Sequence, residues 1–189
     1  KCYGNLAALV HYSVAVVIDQ LFAFLQEALD AAAKGSNTVV LIDNVTNVEE
    51  PLTINEGVLS LDLNGKSIGT KENPVRIEIG NGAAVNIFGE GFIYGQIVVD
   101  GAEVHLKDGS YVYLKDGPVV EASGAYKVMA ENATFTGCSL SPNIISFLSE
   151  DGIGYAELSN SVVSAASDAG KVDTGISMMG GELVFEMTA

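Results

Sequence analysis

Between Leu52 and Ile68 the chain reads LTINEGVLSLDLNGKSI, and apolar and polar positions alternate through Leu52–Ile54, Val58–Leu63 and Lys66–Ile68. A period of two marks strands with one buried face. The runs are parted by Glu56-Gly57 and Asn64-Gly65, pairs that accept positive φ, so each break predicts a corner rather than a longer strand. Corner glycines recur at Gly57, Gly82, Gly101, Gly124 and Gly152, a spacing that varies around one solenoid coil. A second corner lies eight positions after four of them, at Gly65, Gly109, Asn132 and Asn160, and nine after Gly82, at Gly91. LTI, RIEI, IVV, VVE and ISFL precede the first corner, VLSLDL, AAVNIF, AEVHLK, AYKVMA and IGYAEL lie between the two, and KSI, FIYG, SYVYL, ATFTG and SVVSA follow the second. A last partial copy runs from Ile176 to Met187.

A repeat of this kind, with three strands and three corners per copy, predicts an all-β, parallel β-helix: a β-solenoid over residues 37–189 in which each strand pairs with its equivalents above and below. The inward residues expected are Leu59, Leu61, Leu63, Val85, Ile87, Val104, Leu106, Val128, Leu158, Leu183 and Phe185. The phase is uneven. Leu59 and Leu61 stand at even offsets from their glycine, whereas Val85, Ile87, Val104 and Leu106 stand at odd ones, which predicts a bulge or a corner displaced by one residue. Counted from the glycines, Asp62 aligns with Ile87, Leu106, Met129 and Glu157, so no carboxylate column is expected there.

Residues 1–36 follow another pattern. Ile18, Leu21, Phe22, Leu25, Leu29 and Ala32 fall at helical intervals, predicting an amphipathic helix over about 19–34 that ends at Lys34 with Gly35 as a left-handed cap. Its apolar face should cover the first open end of the solenoid. Upstream, Leu6–Ile18 (LAALVHYSVAVVI) is apolar but too short for a membrane span. Thr38–Ile42 reads as a buried strand.

The stretch FLQEALDAAAKGSNTVVLIDNV, followed by EPLTINEGVLSLDLNGKSI, resembles the opening of right-handed parallel β-helix domains of the pectate-lyase-like kind, found in bacterial cell-surface and phage proteins. Leu25, Ala28, Leu29, Ala32, Gly35, Val40 and Leu41 carry the likeness, with Leu52, Ile54, Leu61, Asp62, Leu63, Asn64 and Gly65. It spans about Phe24 to Ile68 and implies a helix capping the solenoid; it implies no activity, because one fold hosts many functions.

With 48% hydrophobic residues and a mean hydropathy of +0.32, the 189-residue chain is ample for a packed core. Nine Lys plus Arg face 24 Asp plus Glu, and the net charge of −15 opposes nucleic acid and anionic membrane surfaces as partners. No membrane insertion is expected. Cys2 and Cys138 make no disulfide framework and no metal-ligand spacing, and their mutual bonding is left open. The chain starts at Lys1 without Met, which reads as a fragment or a processed form.

Candidate chemistry is sparse. Arg76 is the only arginine and Trp is absent, so a site for an acidic polysaccharide is poorly supplied. Asp100, Glu103, Asp108 and Asp116 would serve glycoside chemistry only if two faced each other across a groove. His11 and His105 have no second histidine or cysteine in range. No cofactor is implied; Ca²⁺ at acidic corners such as Asp108 and Asp116 is the one ion considered. Asn132 and Asn160, at equivalent corners, are expected to stack as a short hydrogen-bonded ladder. Asn44-Val45-Thr46 and Asn132-Ala133-Thr134 match the glycosylation sequon and equally suit turns. Tyr94, Tyr111 and Tyr113, with Tyr126, form either a binding surface for glycan or protein or a stack inside the core.

These features lead to the expectation of a non-enzymatic structural or adhesive module outside the cytoplasm, on a bacterial surface, with protein partners or self-association. The rivals are a virion component assembling through the N-terminal segment, and a carbohydrate-active enzyme or glycan-binding module.

Overall fold

The computed structural model describes residues 21–35, 37–48, 50–138, 142–166 and 174–187. Helix α1 (Leu21–Gly35) leads into β1 (Thr38–Val40), and a parallel β-solenoid of about six turns follows. The first coil holds β2 (Leu52–Ile54), β3 (Val58–Asp62) and β4 (Ser67–Ile68). Then come β5 (Val75–Gly80), β6 (Ala84–Phe88), β7 (Phe92–Asp100), β8 (Glu103–Lys107) and β9 (Ser110–Val112). The later coils are built from β10 (Val120–Ser123), β11 (Lys127–Glu131) and β12 (Thr134–Gly137), then β13 (Asn143–Leu148), β14 (Tyr155–Ser159) and β15 (Val162–Ala165). β16 (Thr174–Met179) and β17 (Glu182–Glu186) end the stack.

One sheet runs β1-β3-β6-β8-β11-β14-β17. Its register threads two inward columns through every coil: Leu59, Val85, Val104, Val128, Ala156 and Leu183, and Leu61, Ile87, Leu106, Ala130, Leu158 and Phe185. Burying one such Leu or Val stabilises the fold by roughly 1.5–3 kcal/mol, so each coil is held mainly by its contacts with the coils on either side. The shortest step in the second column is from Ile87 to Leu106, and the longest is from Ala130 to Leu158. The other two faces join through β7, whose first half pairs with β4 and β9 and whose second half pairs with β5 and β10.

That double use of β7 explains the short coil between Ile87 and Leu106. Where other coils spend a loop, β7 bends through the corner as a continuous strand, so FIYG and IVV, read as separate runs, form one element. Gly95 sits at the bend because a Cβ there would lie 2.0 Å from the Val75 carbonyl oxygen.

The uneven phase lies in the corners, and the alternation itself is unbroken. Gly57 abuts β3, Gly82 and Gly101 are each followed by one corner residue, Ala83 or Ala102, and Gly124 by two, Ala125 and Tyr126. Ala83, Ala102 and Tyr126 are buried, so the extra residues fill the core side of the corner. Alignment on glycines therefore misplaces Asp62. It pairs with Phe88, while on the later strands Lys107, Glu131, Ser159 and Glu186 align with one another, so no carboxylate column forms. Phe185 belongs to an inward column, yet it is 62% exposed because β17 is terminal in its sheet.

Helix α1 packs Leu25, Leu29 and Ala32 against the start of the solenoid. Gln26 on its flank donates from Nε2 to the Thr53 carbonyl (2.8 Å) and accepts from the Thr53 amide at Oε1 (2.9 Å). One side chain thus makes the two bonds that a preceding strand would offer β2. Gly35 departs from the expected left-handed cap: it is the last helical residue, and the Asn37 amide donates back to the Ala32 carbonyl (3.1 Å). No described helix is long and apolar enough to cross a membrane. Leu6–Ile18, His11 and Cys2 lie outside the described residues.

Candidate functional site

At the first corner, Gly57, Gly82, Gly101, Gly124 and Gly152 take φ of 82°, 77°, 59°, 68° and 70°. Gly57 is the most constrained, since a Cβ there would lie 2.3 Å from the Ala33 carbonyl oxygen at the end of α1. The second corner is composed differently from the expected series. Left-handed φ falls on Asn64 and Gly65, on Gly89, and on Asp108, Asn132 and Asn160. Gly109 is not left-handed; the corner residue is Asp108, because a short polar side chain also tolerates this region. Gly109 instead leaves room for the Tyr111 ring, whose hydroxyl oxygen lies 3.0 Å from where a Cβ would be. Gly91, at φ 158°, lets the Lys66 carbonyl approach. At this corner the Asn132 side chain bonds the preceding coil, with Nδ2 donating to Asp108 Oδ1 (3.1 Å), and the backbone N–H of Asn160 donates to the Glu186 carbonyl (2.9 Å) as part of the regular stacking.

The tyrosines do not form one surface. Tyr111 is fully buried and stacks on Phe135, with centroids 5.2 Å apart, in the inward column Ile93, Tyr111, Phe135, Val163. Tyr126 is buried too and stacks on Phe147 at 5.4 Å. Neither hydroxyl has a hydrogen-bond partner among the described residues, and burial pushes both phenols above their ordinary pKa. Tyr113 is half-buried against the core. Tyr94 alone of the three candidates lies on the outward phase, where it stacks on the exposed Phe92 with rings 6° from parallel and centroids 5.5 Å apart. At that separation the rings stand against each other on the sheet, and each covers part of its neighbour; a flat platform would need coplanar rings.

Several charged and polar side chains on the outer faces bond one another, most of them between coils. Lys127 Nζ meets Glu103 at 2.8 Å, Lys107 Nζ meets Glu131 at 3.0 Å, and Ser123 Oγ donates to Asp100 at 3.1 Å. Glu131 holds the Lys107 ammonium above its ordinary pKa, and His105, on the outward phase, stands 3.8 Å from the same carboxylate. Arg76 bonds Glu78 (2.6 Å) and Gln96, and Gln96 Nε2 reaches Glu121 at 3.4 Å. Tyr155 Oη donates to Glu157 at 2.7 Å, which raises its pKa. Asp100, Glu103 and Asp108 are thus taken up by neighbouring coils, and Asp116 sits exposed in the loop after β9.

Among the described residues, no three His, Cys, Asp or Glu side chains gather as metal ligands. The buried Cys138 thiol donates to the Lys115 carbonyl (3.1 Å), and Asn44 Oδ1 accepts from the Ser67 amide and hydroxyl. Two polar residues give no sign of their roles in the sequence. Gln26 reads like any residue of a solvated helix face, and Gln96, only 7% exposed, is hidden inside the apolar run YGQIVV. No family model matches this chain, and no curated protein or solved structure does either.

Proposed function

We propose that this chain is a non-enzymatic structural or adhesive β-solenoid module displayed outside the cytoplasm, on a bacterial cell surface. The observation that carries the reading is the use made of the outer faces: Lys127–Glu103, Lys107–Glu131, Arg76–Gln96–Glu121 and Asn132–Asp108 each join one coil to the next. Polar groups committed to neighbouring coils stiffen a rod, whereas a catalytic site keeps them convergent on a cleft and shifted in pKa. The resemblance of Phe24–Ile68 to pectate-lyase-like β-helix domains of cell-surface and phage proteins is compatible with a module displayed outside the cytoplasm and by itself implies no activity. The test is turnover. Incubated with acidic and neutral polysaccharides, the protein should release no reducing ends or unsaturated sugars; product formation abolished by Glu103→Gln or Asp100→Asn would overturn the reading.

A further inference from the structure

The fold treats the two Asn-X-Thr sequons, Asn44-Val45-Thr46 and Asn132-Ala133-Thr134, in opposite ways. An enzyme that modifies a sequon needs the asparagine nitrogen and the threonine hydroxyl presented together at the surface. In the first sequon Val45 is buried and bridges Ile68 in parallel, with its N–H donating to the Ser67 carbonyl (2.8 Å) and its carbonyl accepting from Gly69 (2.7 Å). The residues on either side of an inward residue in extended chain point outward, and Asn44 and Thr46 are both exposed. Asn44 is also oriented. Its Oδ1 accepts from the Ser67 N–H (2.9 Å) and from the Ser67 hydroxyl (3.1 Å). A backbone N–H only donates, so the oxygen of the Asn44 amide must face it and Nδ2 is held on the opposite side. The second sequon is arranged otherwise. Asn132 stands in left-handed backbone at φ 51°, and its Nδ2 points along the stack at Asp108 Oδ1 (3.1 Å). Thr134 is half-buried in its ladder between Ser110 and Val162.

We propose that Asn44 is a site of N-linked glycosylation and that Asn132 is not. The co-substrate is a sugar whose anomeric carbon carries a diphosphate, on a nucleotide or on a lipid. The bond from Nδ2 to the anomeric carbon forms as the bond from that carbon to the diphosphate oxygen breaks. The bonding electrons leave with the diphosphate, and a base of the transferase takes the proton that Nδ2 loses. Only the nitrogen is used, so both bonds from Ser67 to Oδ1 survive in the product, and the first turn of the solenoid carries the sugar without rearrangement. A sugar on Asn132 would instead be attached to the nitrogen that bonds the neighbouring coil. The proposal stands on the geometry of the two sequons and is independent of the proposed function.

Peptide mass spectrometry of the full chain, purified from bacteria that encode it, tests the assignment. The peptide that contains Asn44 should carry the added mass of one or more sugar residues on that side chain, and the peptide that contains Asn132 should have its unmodified mass. Asn44→Asp keeps an oxygen for Ser67 and removes the nitrogen, so it should lose the sugar while the far-ultraviolet circular dichroism spectrum is unchanged. Thr46→Ala should lose it as well and Thr46→Ser should retain it, a pattern that a merely structural role for this turn would not produce. An unmodified Asn44 peptide would overturn the proposal. Sugar on Asn132, or sugar kept in Thr46→Ala, would overturn it equally, because the geometry of the sequon would then not decide where the sugar goes.

Discussion

Gln26 stands in for a missing strand, and the substitution Gln26→Ala measures how much that is worth. Two bonds to Thr53, at 2.8 and 2.9 Å, are lost together. A neutral hydrogen bond contributes about 1 kcal/mol net, and Thr53 is half-buried, so water recovers only part of the loss. The better helix propensity of alanine offsets a few tenths, which leaves a cost of about 2 kcal/mol. For a chain of this size that lowers Tm by about 4–8 °C in a thermal melt followed by circular dichroism. Gln26→Glu adds a pH signature. Its second carboxylate oxygen would face the Thr53 carbonyl with Asp30 nearby, so the folded protein should hold this carboxyl above the ordinary Glu value of about 4.3. A raised folded-state pKa means the variant is nearest to wild type below that value and loses stability as pH rises through the shifted pKa. A Gln26→Ala protein within about 0.5 kcal/mol of wild type, with a pH-independent Gln26→Glu difference, would refute the clamp.

Three further outcomes follow from the corners and the core. Gly57→Ala should cost well over the roughly 1–2 kcal/mol expected of Gly82→Ala, because both force a side chain into left-handed backbone but only Gly57 has the Ala33 carbonyl 2.3 Å from the new Cβ, against open space at Gly82; equal costs in urea unfolding would show that α1 does not press on this corner. Tyr111→Phe should be neutral or stabilising by about 1 kcal/mol, since it removes a buried, unpartnered hydroxyl and keeps the stack on Phe135; a loss of that size would place a hydrogen-bond partner at the hydroxyl. Because Tyr111 and Tyr126 stay neutral in the fold to higher pH than in the unfolded chain, stability should be intact below about pH 10 and decline above it; alkaline absorbance titration should show their ionisation arriving with unfolding rather than before it.

The sheets were legible because alternation is local: Leu59, Leu61, Val104 and Leu106 each announce a buried face through their immediate neighbours. Register is harder to read. Ala83, Ala102 and Tyr126 belong to corners, but an apolar residue beside a strand looks like more strand, so counting from glycines shifts the alignment by one residue or more. At Asp108-Gly109 either residue suits a left-handed turn, and the choice falls to aspartate because Tyr111 needs the space beside Gly109. The inward turn of Tyr111 depends on pairing with Phe135, a full coil further along the chain, which no local pattern encodes. The outer ion pairs are hidden for the same reason: Lys127 and Glu103 become partners only once their strands are stacked.

The proposed role requires a protein that can be reached from outside the cell. Membrane-impermeant amine labelling of intact bacteria that encode this chain, followed by mass spectrometry, tests it directly. Lys127 and Lys107 lie on the outer face with side chains 46% and 39% exposed. The account predicts label on these lysines in intact cells at a level comparable to that after lysis. Label that appears only after lysis would contradict it.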